Sequence, residues 1–229
     1  MLSWDNTRTR IVLNIEKGES MSVKNILSGS SCFEDRYIPD YDKLRDTISS
    51  LRNSDYKISM TQGVYDLLHI GHVRYIAKAK ACGDILVVAV DTDEYTRKRK
   101  QKANERRPVV PFEERLELLS NIRGVDILTI RDLKEHEADP DFVIKVVKPD
   151  VLIMSRSTQD VSTAKHEELK ALCGRLEILE PQAETSTSKV LRELLIDGAG
   201  GLVDCITDAI EGYYAKAGRV VNFGKEGKP

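Results

Sequence analysis

Short apolar runs alternate with amphipathic stretches through the middle of the chain, between residues 57 and 195. Such runs are typical of strands that are buried on both faces of a sheet. We expect strands at Lys57–Thr61, Asp84–Val90, Val125–Ile130, Val151–Met154 and Leu176–Leu179. Helices are expected at His69–Ala81, from Pro111 through Leu119, and at Pro140–Val147, Thr163–Cys173 and Ser186–Leu195. The alternation predicts an α/β fold, a Rossmann-like parallel sheet with helices on both faces.

The chain divides into three parts. Residues 1–55 form an N-terminal extension with a short strand at Arg10–Ile15 and one amphipathic helix at Tyr41–Arg52. Residues 56–196 make up the main domain. Residues 197–229 hold a C-terminal helix and tail, introduced by the break Gly198–Gly201. The apolar face of that last helix either covers the main domain or joins two copies in a homodimer.

Composition narrows the class of protein. With 229 residues, 41% of them hydrophobic, the chain can bury one sizeable core. Its formal net charge of -2 gives no basic field, so nucleic acid is not an expected partner. The sequence has no apolar run of membrane-spanning length, and Met1–Arg10 lacks the apolar core of a signal peptide. The four cysteines are widely spaced, which indicates reduced thiols, mostly in the core, of a cytoplasmic protein.

A basic segment, Arg97–Arg107, follows the second predicted strand, and we expect it to be a loop. Its ordinary interpretation is a solvated surface. A nucleic-acid patch is the alternative, but the segment has no aromatic residue after Tyr95 to stack on bases.

Two of the four histidines, His69 and His72, stand three positions apart where a strand gives way to a helix. The start of a helix offers free backbone N–H groups and the positive end of the helix dipole. The pair therefore predicts a phosphate site. The alternatives are two ordinary surface or core histidines, or a zinc site, although no third His or Cys ligand stands nearby.

A second helix start, at Ser186, Thr187 and Ser188, offers hydroxyls and backbone N–H groups of the kind that bind phosphate. Taken alone, the run is more typical of simple N-capping. Beside the two histidines, we favour contact with the β- and γ-phosphates of a nucleotide.

Three blocks of the sequence resemble the cytidylyltransferase-like nucleotidyltransferases. The first is Gly63-Val64-Tyr65-Asp66 followed by His69-Ile70-Gly71-His72, which is similar to the family's H-x-G-H signature. The second is Arg107-Pro108-Val109-Val110-Pro111, continuing to Arg115. The third, Thr185–Lys189, looks like the I-S-T-S motif that opens the family's last helix. All three occur in the family's order at predicted strand-to-helix junctions.

The resemblance implies nucleotidyl transfer, in which a phosphorylated acceptor attacks the α-phosphorus of a nucleoside triphosphate and pyrophosphate leaves. His69 and His72 would donate hydrogen bonds to the phosphates, and Gly71 would allow close backbone approach. Arg115, which has no carboxylate three or four positions away, would neutralise the triphosphate. A loop lysine, Lys100 or Lys102, would close over both substrates.

Further nucleotide contacts follow from the same resemblance. They are expected from Thr61, Gly63, Tyr65, Asp66 and Asp91, in addition to the three hydroxyl residues at 186–188. Asp66 would orient a histidine or the acceptor, or else cap the helix. Asp91 and Asp93 would contact the ribose or a metal-bound water, although turn and cap roles are equally expected. Mg²⁺ is the expected cofactor because it neutralises the triphosphate while it is coordinated by substrate oxygens and water.

The match departs from the family where base and acceptor are recognised. Met154–Thr158 replaces a glycine–aspartate block, and Pro181–Glu184 replaces a segment that often carries an arginine. The Arg107–Arg115 block looks more like heptose-phosphate adenylyltransferase domains, which favours ATP over CTP and a sugar phosphate as acceptor. The alternatives are a cytidylyltransferase for a polyol or alcohol phosphate, and a non-catalytic nucleotide-binding protein of the same fold.

Overall fold

The computed structural model describes residues 32–99, 107–156, 163–191, 193, 201 and 205–210. Five parallel strands form one sheet in the order β3-β2-β1-β4-β5. They are β1 (Ile58–Gly63), β2 (Ile85–Asp91), β3 (Ile127–Arg131), β4 (Val151–Ser155) and β5 (Arg175–Leu179). The strand order reverses between β1 and β4, and ligands of open α/β sheets bind at the carboxyl ends beside such a switch point.

Eight named helices accompany the strands in the described parts of the chain: α1 (Phe33–Arg36), α2 (Tyr41–Asn53), α3 (Ile70–Lys80), α4 (Asp93–Arg99), α5 (Phe112–Ser120), α6 (Leu133–His136), α7 (Phe142–Val147) and α8 (Thr163–Leu172). Residues 187–191 and 205–210 are also helical. The short α1 and α6 were not expected from the sequence. The strand expected at Arg10–Ile15, together with Lys100 and Lys102, lies outside the described residues.

The prediction of a loop throughout Arg97–Arg107 is wrong at its start, because α4 reaches Arg99. The Thr92 hydroxyl accepts a hydrogen bond from the Tyr95 N–H at 3.2 Å and so starts the helix. Acidic residues occupy its first turn and basic residues its last, which suits the helix dipole. Tyr95 and Thr96 are buried, so tertiary packing holds a helix that the basic composition hid.

The side chains of successive residues in each strand point to opposite faces of the sheet, and both faces are covered by helices. One face, which we call the α2 face, packs Ile58, Met60 and Val87 against α2, α7 and α8. The other, the α3 face, packs Leu86 and Val88 against α3 and α5. The predicted fold class is thus confirmed. The domain boundaries at 55/56 and 196/197 stay predictions, although α2 contributes Leu44, Ile48 and Leu51 to the core.

The described residues bear on the predicted burial of the cysteines and on the length of the helices. Cys82 and Cys173 are half-buried and Cys32 and Cys205 are exposed, so the expectation of mostly core cysteines is wrong. Within the same residues, the helices are all too short or too polar to cross a membrane.

The pH dependence of stability should respond to His136, which is 1% exposed on the α2 face. Its Nδ1 lies 3.1 Å from the Asp132 carbonyl oxygen, and its Nε2 accepts from the Val143 N–H at 3.4 Å. Burial, with the nearby Arg131 charge, lowers the pKa of His136 below its ordinary 6.5. The unfolded chain therefore takes up this proton first as the pH falls.

The contribution of His136 to the free energy of unfolding should therefore be fully present above pH 6.5 and should decline as the pH falls below this value. We expect a His136→Gln variant, which keeps a donor and an acceptor, to lose less stability between pH 7 and pH 5. The two proteins should differ in the slope of the free energy of unfolding against pH by at most about 1.4 kcal/mol per pH unit, the value for one proton. Urea unfolding at a series of pH values measures it, and parallel curves for the two proteins would contradict the assignment.

Candidate active site

A cleft of about 740 Å³ opens at the carboxyl ends of the strands, a volume suited to a small-molecule ligand. Its lining comes from the loop after β1, from the last residues of β2, β3 and β4, and from residues 181–188 after β5. The three blocks that are separate in the sequence therefore meet at one edge of the sheet. The cleft lies at the switch point between β1 and β4, as the topology requires.

The rings of the two histidines lie together at the start of α3, tilted by 31°, with centroids 4.0 Å apart. His69 is the N-cap of α3, and its Nδ1 accepts a hydrogen bond from the Gly71 N–H at 3.1 Å. This contact assigns the proton of the neutral ring to Nε2. Burial lowers the pKa of His69, so the ring is neutral at pH 7 and offers an Nε2–H donor. The His72 ring is held edge-on to Tyr65, with centroids 5.6 Å apart.

The loop between β1 and α3 is held in an uncommon conformation by Asp66. Tyr65 and Leu67 have left-handed φ angles of 54° and 44°, which cost non-glycine residues free energy. The Asp66 carboxylate accepts hydrogen bonds from the N–H groups of Val109 and Val110, both at 3.0 Å. The cap of α3 is His69 and not Asp66, while orientation of the acceptor by Asp66 stays a prediction. In this structure, Asp66 joins the histidine loop to the Arg-Pro-Val block.

The helix start at residue 187 is tied to the same loop. The Thr187 hydroxyl donates to the Asp66 carbonyl oxygen at 2.6 Å. The Ser186 hydroxyl accepts from the Lys189 N–H at 3.2 Å, so Ser186 is a cap, as the simpler interpretation expected. Thr187 and Ser188 line the cleft with Ser186. Their placement brings this helix start and the α3 start to one cavity.

Arg107 supplies positive charge to this side of the cleft. One of its Nη atoms donates to the Ser188 hydroxyl at 2.9 Å, and the other lies 3.7 Å from the Asp66 carboxylate. The side chain is 9% exposed and lines the cavity. Arg107 was assigned to the basic segment and was not among the expected site residues. Its position at the head of the Arg-Pro-Val block was the available signal.

Two predicted site residues do not reach the cleft. Arg115 is fully buried and donates to the carbonyl oxygens of Val64 and Val110 and to the Asp93 carboxylate. Arg115 therefore does not line the cleft in this structure, and its ion-pair partner Asp93 comes from α4 rather than from its own helix. Neutralisation of a triphosphate by Arg115 stays a prediction. Thr61 is also fully buried, with its hydroxyl 2.8 Å from the Tyr75 hydroxyl.

Charged residues that the sequence analysis missed line the α2 side of the cleft. The Arg131 Nη1 donates to the Asp91 carboxylate at 2.9 Å, and Arg99 pairs with the same carboxylate. Asp91 has no exposed surface as a residue but lines the cleft, and its expected contact with ribose or metal-bound water stays a prediction. Lys165 pairs with Asp141 nearby. Arg131 ends β3 directly opposite Asp91, and that register was the signal which could have identified it.

Comparison with known proteins agrees with this geometry. The family model described as cytidylyltransferase-like matches residues 60–193, which is more than half of the chain. The chain belongs to the cytidylyltransferase-like family. Membership confirms the family resemblance that the three blocks of the sequence indicated.

Curated relatives of this family member include two called bifunctional protein HldE. The one from Desulfatibacillum aliphaticivorans is 31% identical over 152 residues, covering 66% of this chain and 30% of the relative. The one from Salmonella paratyphi A is 33% identical over 153 residues, covering 67% of this chain and 31% of the relative. The chain thus spans about a third of the length of these relatives. A solved lipopolysaccharide core biosynthesis protein from Thermoplasma volcanium GSS1 is 28% identical, with TM-score 0.46, covering 57% of this chain and 99% of that one.

The carboxylates of the cleft already have partners within the protein. Asp66 binds backbone N–H groups, Asp91 pairs with two arginines, and Asp141 pairs with Lys165. In the described ranges, no three His, Cys, Asp or Glu side chains cluster as metal ligands would. These residues do not fit a protein-held magnesium site, so a metal would have to rely on substrate oxygens and water.

The ring of His69 leaves no room for a side chain at residue 71. A Cβ at residue 71 would lie 2.8 Å from the His69 Cε1 and 2.9 Å from its Nδ1. We expect Gly71→Ala to turn this ring out of place and to lower kcat by about tenfold or more. Stability should change little, because alanine favours the helix by up to about 1 kcal/mol and offsets the lost cap.

The matched control is Gly201→Ala, since a Cβ there meets nothing within 4 Å among the described residues. Steady-state kinetics and urea unfolding of both variants make the comparison. Normal kcat in Gly71→Ala would contradict the assigned position of the His69 ring.

Proposed function

We propose that this protein transfers the nucleotidyl group of a nucleoside triphosphate to the phosphate of a small phosphorylated acceptor. One acceptor oxygen forms a new bond to the α-phosphorus, the bond from that phosphorus to the bridging oxygen breaks, and pyrophosphate leaves with the electron pair. Family membership supports this class of reaction. The observation that carries it is the histidine pair at the start of α3, which lines one cleft together with the helix start at residue 187.

The described residues suit a reaction that depends on positioning and charge stabilisation. The neutral His69 donates its Nε2–H to phosphate oxygens, and His72 lies beside it. Arg107 and the backbone N–H groups at the start of the 187–191 helix hold the rest of the triphosphate. An acceptor phosphate is already ionised at neutral pH, so the reaction needs no strong general base.

For the substrates, we propose ATP rather than CTP, and a sugar phosphate as acceptor. The resemblance of the Arg107–Arg115 block to heptose-phosphate adenylyltransferase domains supports this choice. Mg²⁺ would arrive with the triphosphate, where it neutralises charge on the leaving pyrophosphate. Closure of Lys100 or Lys102 over the phosphates, a cytoplasmic location and a homodimer stay predictions.

Pyrophosphate release by the purified protein tests the proposal. ATP, CTP, GTP and UTP are each combined with glycerol 3-phosphate, ribitol 5-phosphate and a set of sugar phosphates in the presence of Mg²⁺. We expect turnover with at least one pair, with ATP as the best nucleotide. Tight ATP binding in a calorimeter without pyrophosphate release from any pair would instead support a non-catalytic nucleotide-binding protein.

A further inference from the structure

Three hydroxyl groups link the loop of the histidine pair to β4, and we call them the hydroxyl chain. Tyr75, on α3, donates to the Ile153 carbonyl oxygen of β4 at 3.1 Å. The Tyr75 oxygen lies 2.8 Å from the Thr61 hydroxyl, and the Tyr65 hydroxyl donates to the same threonine oxygen at 3.4 Å. Each hydroxyl has one proton, so Tyr75 spends its proton on Ile153 and Thr61 donates to Tyr75. The protons therefore all point one way, from Tyr65 through Thr61 and Tyr75 to β4.

The hydroxyl chain is shielded from water and keeps its protons. Thr61 and Tyr65 are buried, and Tyr75 is half-buried. Burial raises the pKa of Tyr65 well above its ordinary 10 and raises the pKa of Tyr75 to about 12. Both phenols are therefore neutral donors at neutral pH. Hydrogen bonds in such a place are stronger than in water, and neighbours in a chain reinforce one another.

The Tyr65 ring connects the hydroxyl chain to His72. It meets the His72 ring edge-on, with centroids 5.6 Å apart and planes inclined by 62°. The same ring lies close to Gly63, since a Cβ on that glycine would be 3.4 Å from the Tyr65 Cε2. Tyr65 has a left-handed φ of 54°, a conformation that only its surroundings can hold. The hydroxyl group, at the end of the ring away from the backbone, is the point at which the hydroxyl chain holds this ring.

We propose that Tyr75 is a positioning residue for His72, acting through the Thr61 hydroxyl and the Tyr65 ring. The hydroxyl chain fixes the direction of the Tyr65 ring, and that ring fixes the direction of the His72 imidazole. A donor must be aimed at the developing charge before the reaction, and a displacement of about 1 Å can cost about 100-fold in rate. This inference rests on the proposed nucleotidyl transfer. It gives Thr61, which does not reach the cleft, an indirect part in the reaction.

Tyr75→Phe tests the inference, because phenylalanine keeps the ring and removes the hydroxyl. With the substrate pair that the wild type turns over best, we expect kcat for pyrophosphate release to fall by about 5- to 20-fold. The KM of the nucleotide should change by less than about twofold. The matched control is Tyr41→Phe, which removes a hydroxyl that donates to the Ile130 carbonyl oxygen of β3 at 3.1 Å, outside the cleft lining. Both variants take a donor from a strand carbonyl, so both should lose similar stability, while only Tyr75→Phe should lose kcat.

A double-mutant cycle with His72→Ala makes the test specific. If Tyr75 acts through His72, adding Tyr75→Phe to His72→Ala should change kcat by less than about twofold. Tyr65→Phe should lower kcat as Tyr75→Phe does, and the two together should lower it no further than either alone. The full loss from Tyr75→Phe in the His72→Ala background would overturn the inference and leave nucleotidyl transfer intact, because a structural role or a direct substrate contact of Tyr75 is additive.

The histidine NMR signals test the same inference without turnover. The chain has four histidines, so the His72 Hε1 resonance can be assigned by its loss in His72→Ala. It should shift in Tyr75→Phe and stay in place in Tyr41→Phe, because only the first variant releases the aromatic ring beside His72. An unmoved resonance in Tyr75→Phe would overturn the inference. Absence of pyrophosphate release by the wild type with every substrate pair would overturn the proposed function, whereas the resonance would still decide whether Tyr75 positions the His72 ring.

Discussion

Replacing His72 with alanine is expected to lower kcat for pyrophosphate release by about 10²- to 10³-fold, the typical cost of removing a preorganised donor to a developing negative charge. The KM of the nucleotide should change little, because the lost hydrogen bond is stronger in the transition state than in the ground state. The centroid of the His72 ring lies 4.0 Å from that of His69, and Tyr65 contacts the ring edge-on, so its direction is fixed before substrate binds. Steady-state and single-turnover kinetics measure the effect.

His69 allows the catalytic and structural contributions to be separated. His69→Asn removes the Nε2–H donor but keeps a good N-cap, so kcat should fall with little loss of stability. His69→Ala should lose the same activity and, in addition, about 0.5 to 2 kcal/mol of stability with the cap. His166→Asn, on α8 outside the cleft lining, serves as the control. Normal kcat in both His72→Ala and His69→Asn would exclude the histidine pair from the reaction.

Arg115→Met is expected to destabilise the fold by about 3 to 5 kcal/mol, as when one partner of a buried ionic network is removed. Its guanidinium group holds the Val64 carbonyl of the histidine loop, the Val110 carbonyl of the Arg-Pro-Val block, and the Asp93 carboxylate of α4. The variant leaves buried carbonyl groups without donors. Urea unfolding, or a melting temperature lowered by roughly 2 to 4 °C per kcal/mol, reports the loss.

The control for this prediction is Arg45→Met, which breaks an exposed ion pair with Asp42 on α2. Its effect should stay within about 1 kcal/mol. Arg115→Lys keeps the charge but cannot reach three acceptors, so it should be destabilised to an intermediate degree. If Arg115→Met instead kept its stability and lost only nucleotide affinity, Arg115 would be a phosphate ligand, as its motif position first indicated.

The sequence predicted the sheet well because several strands are continuous apolar runs, as in Ile85–Val90, and such runs must be buried. It failed at α4, where seven residues rich in charge form a helix only because Tyr95 and Thr96 are buried against the domain. The amino-acid composition of this segment does not reveal that packing. The same limit hid α6, a single turn whose His136 is buried.

The site was predictable to the level of its motifs but not of its side-chain directions. The order of the three blocks located the cleft, since all of them follow strands that end at one edge of the sheet. Thr61 and Arg115 point into the interior, which depends on packing against Tyr75 and Asp93 from other elements. Arg131 could have been found from its position at a strand end. The pairing of Lys165 with Asp141 depends on how α7 and α8 meet, which spacing along the chain does not reveal.

Thr61 and Gln62 are neighbours in the chain, yet they face opposite sides of β1. A single-residue insertion or deletion in that strand would exchange the two sides, turning Gln62 toward the place where the Thr61 hydroxyl meets Tyr75. Point substitution, in contrast, changes one side chain of the cleft lining and leaves both faces of the strand in place. A protein engineer who alters this cleft would do best to keep the length from Ile58 to His72 fixed.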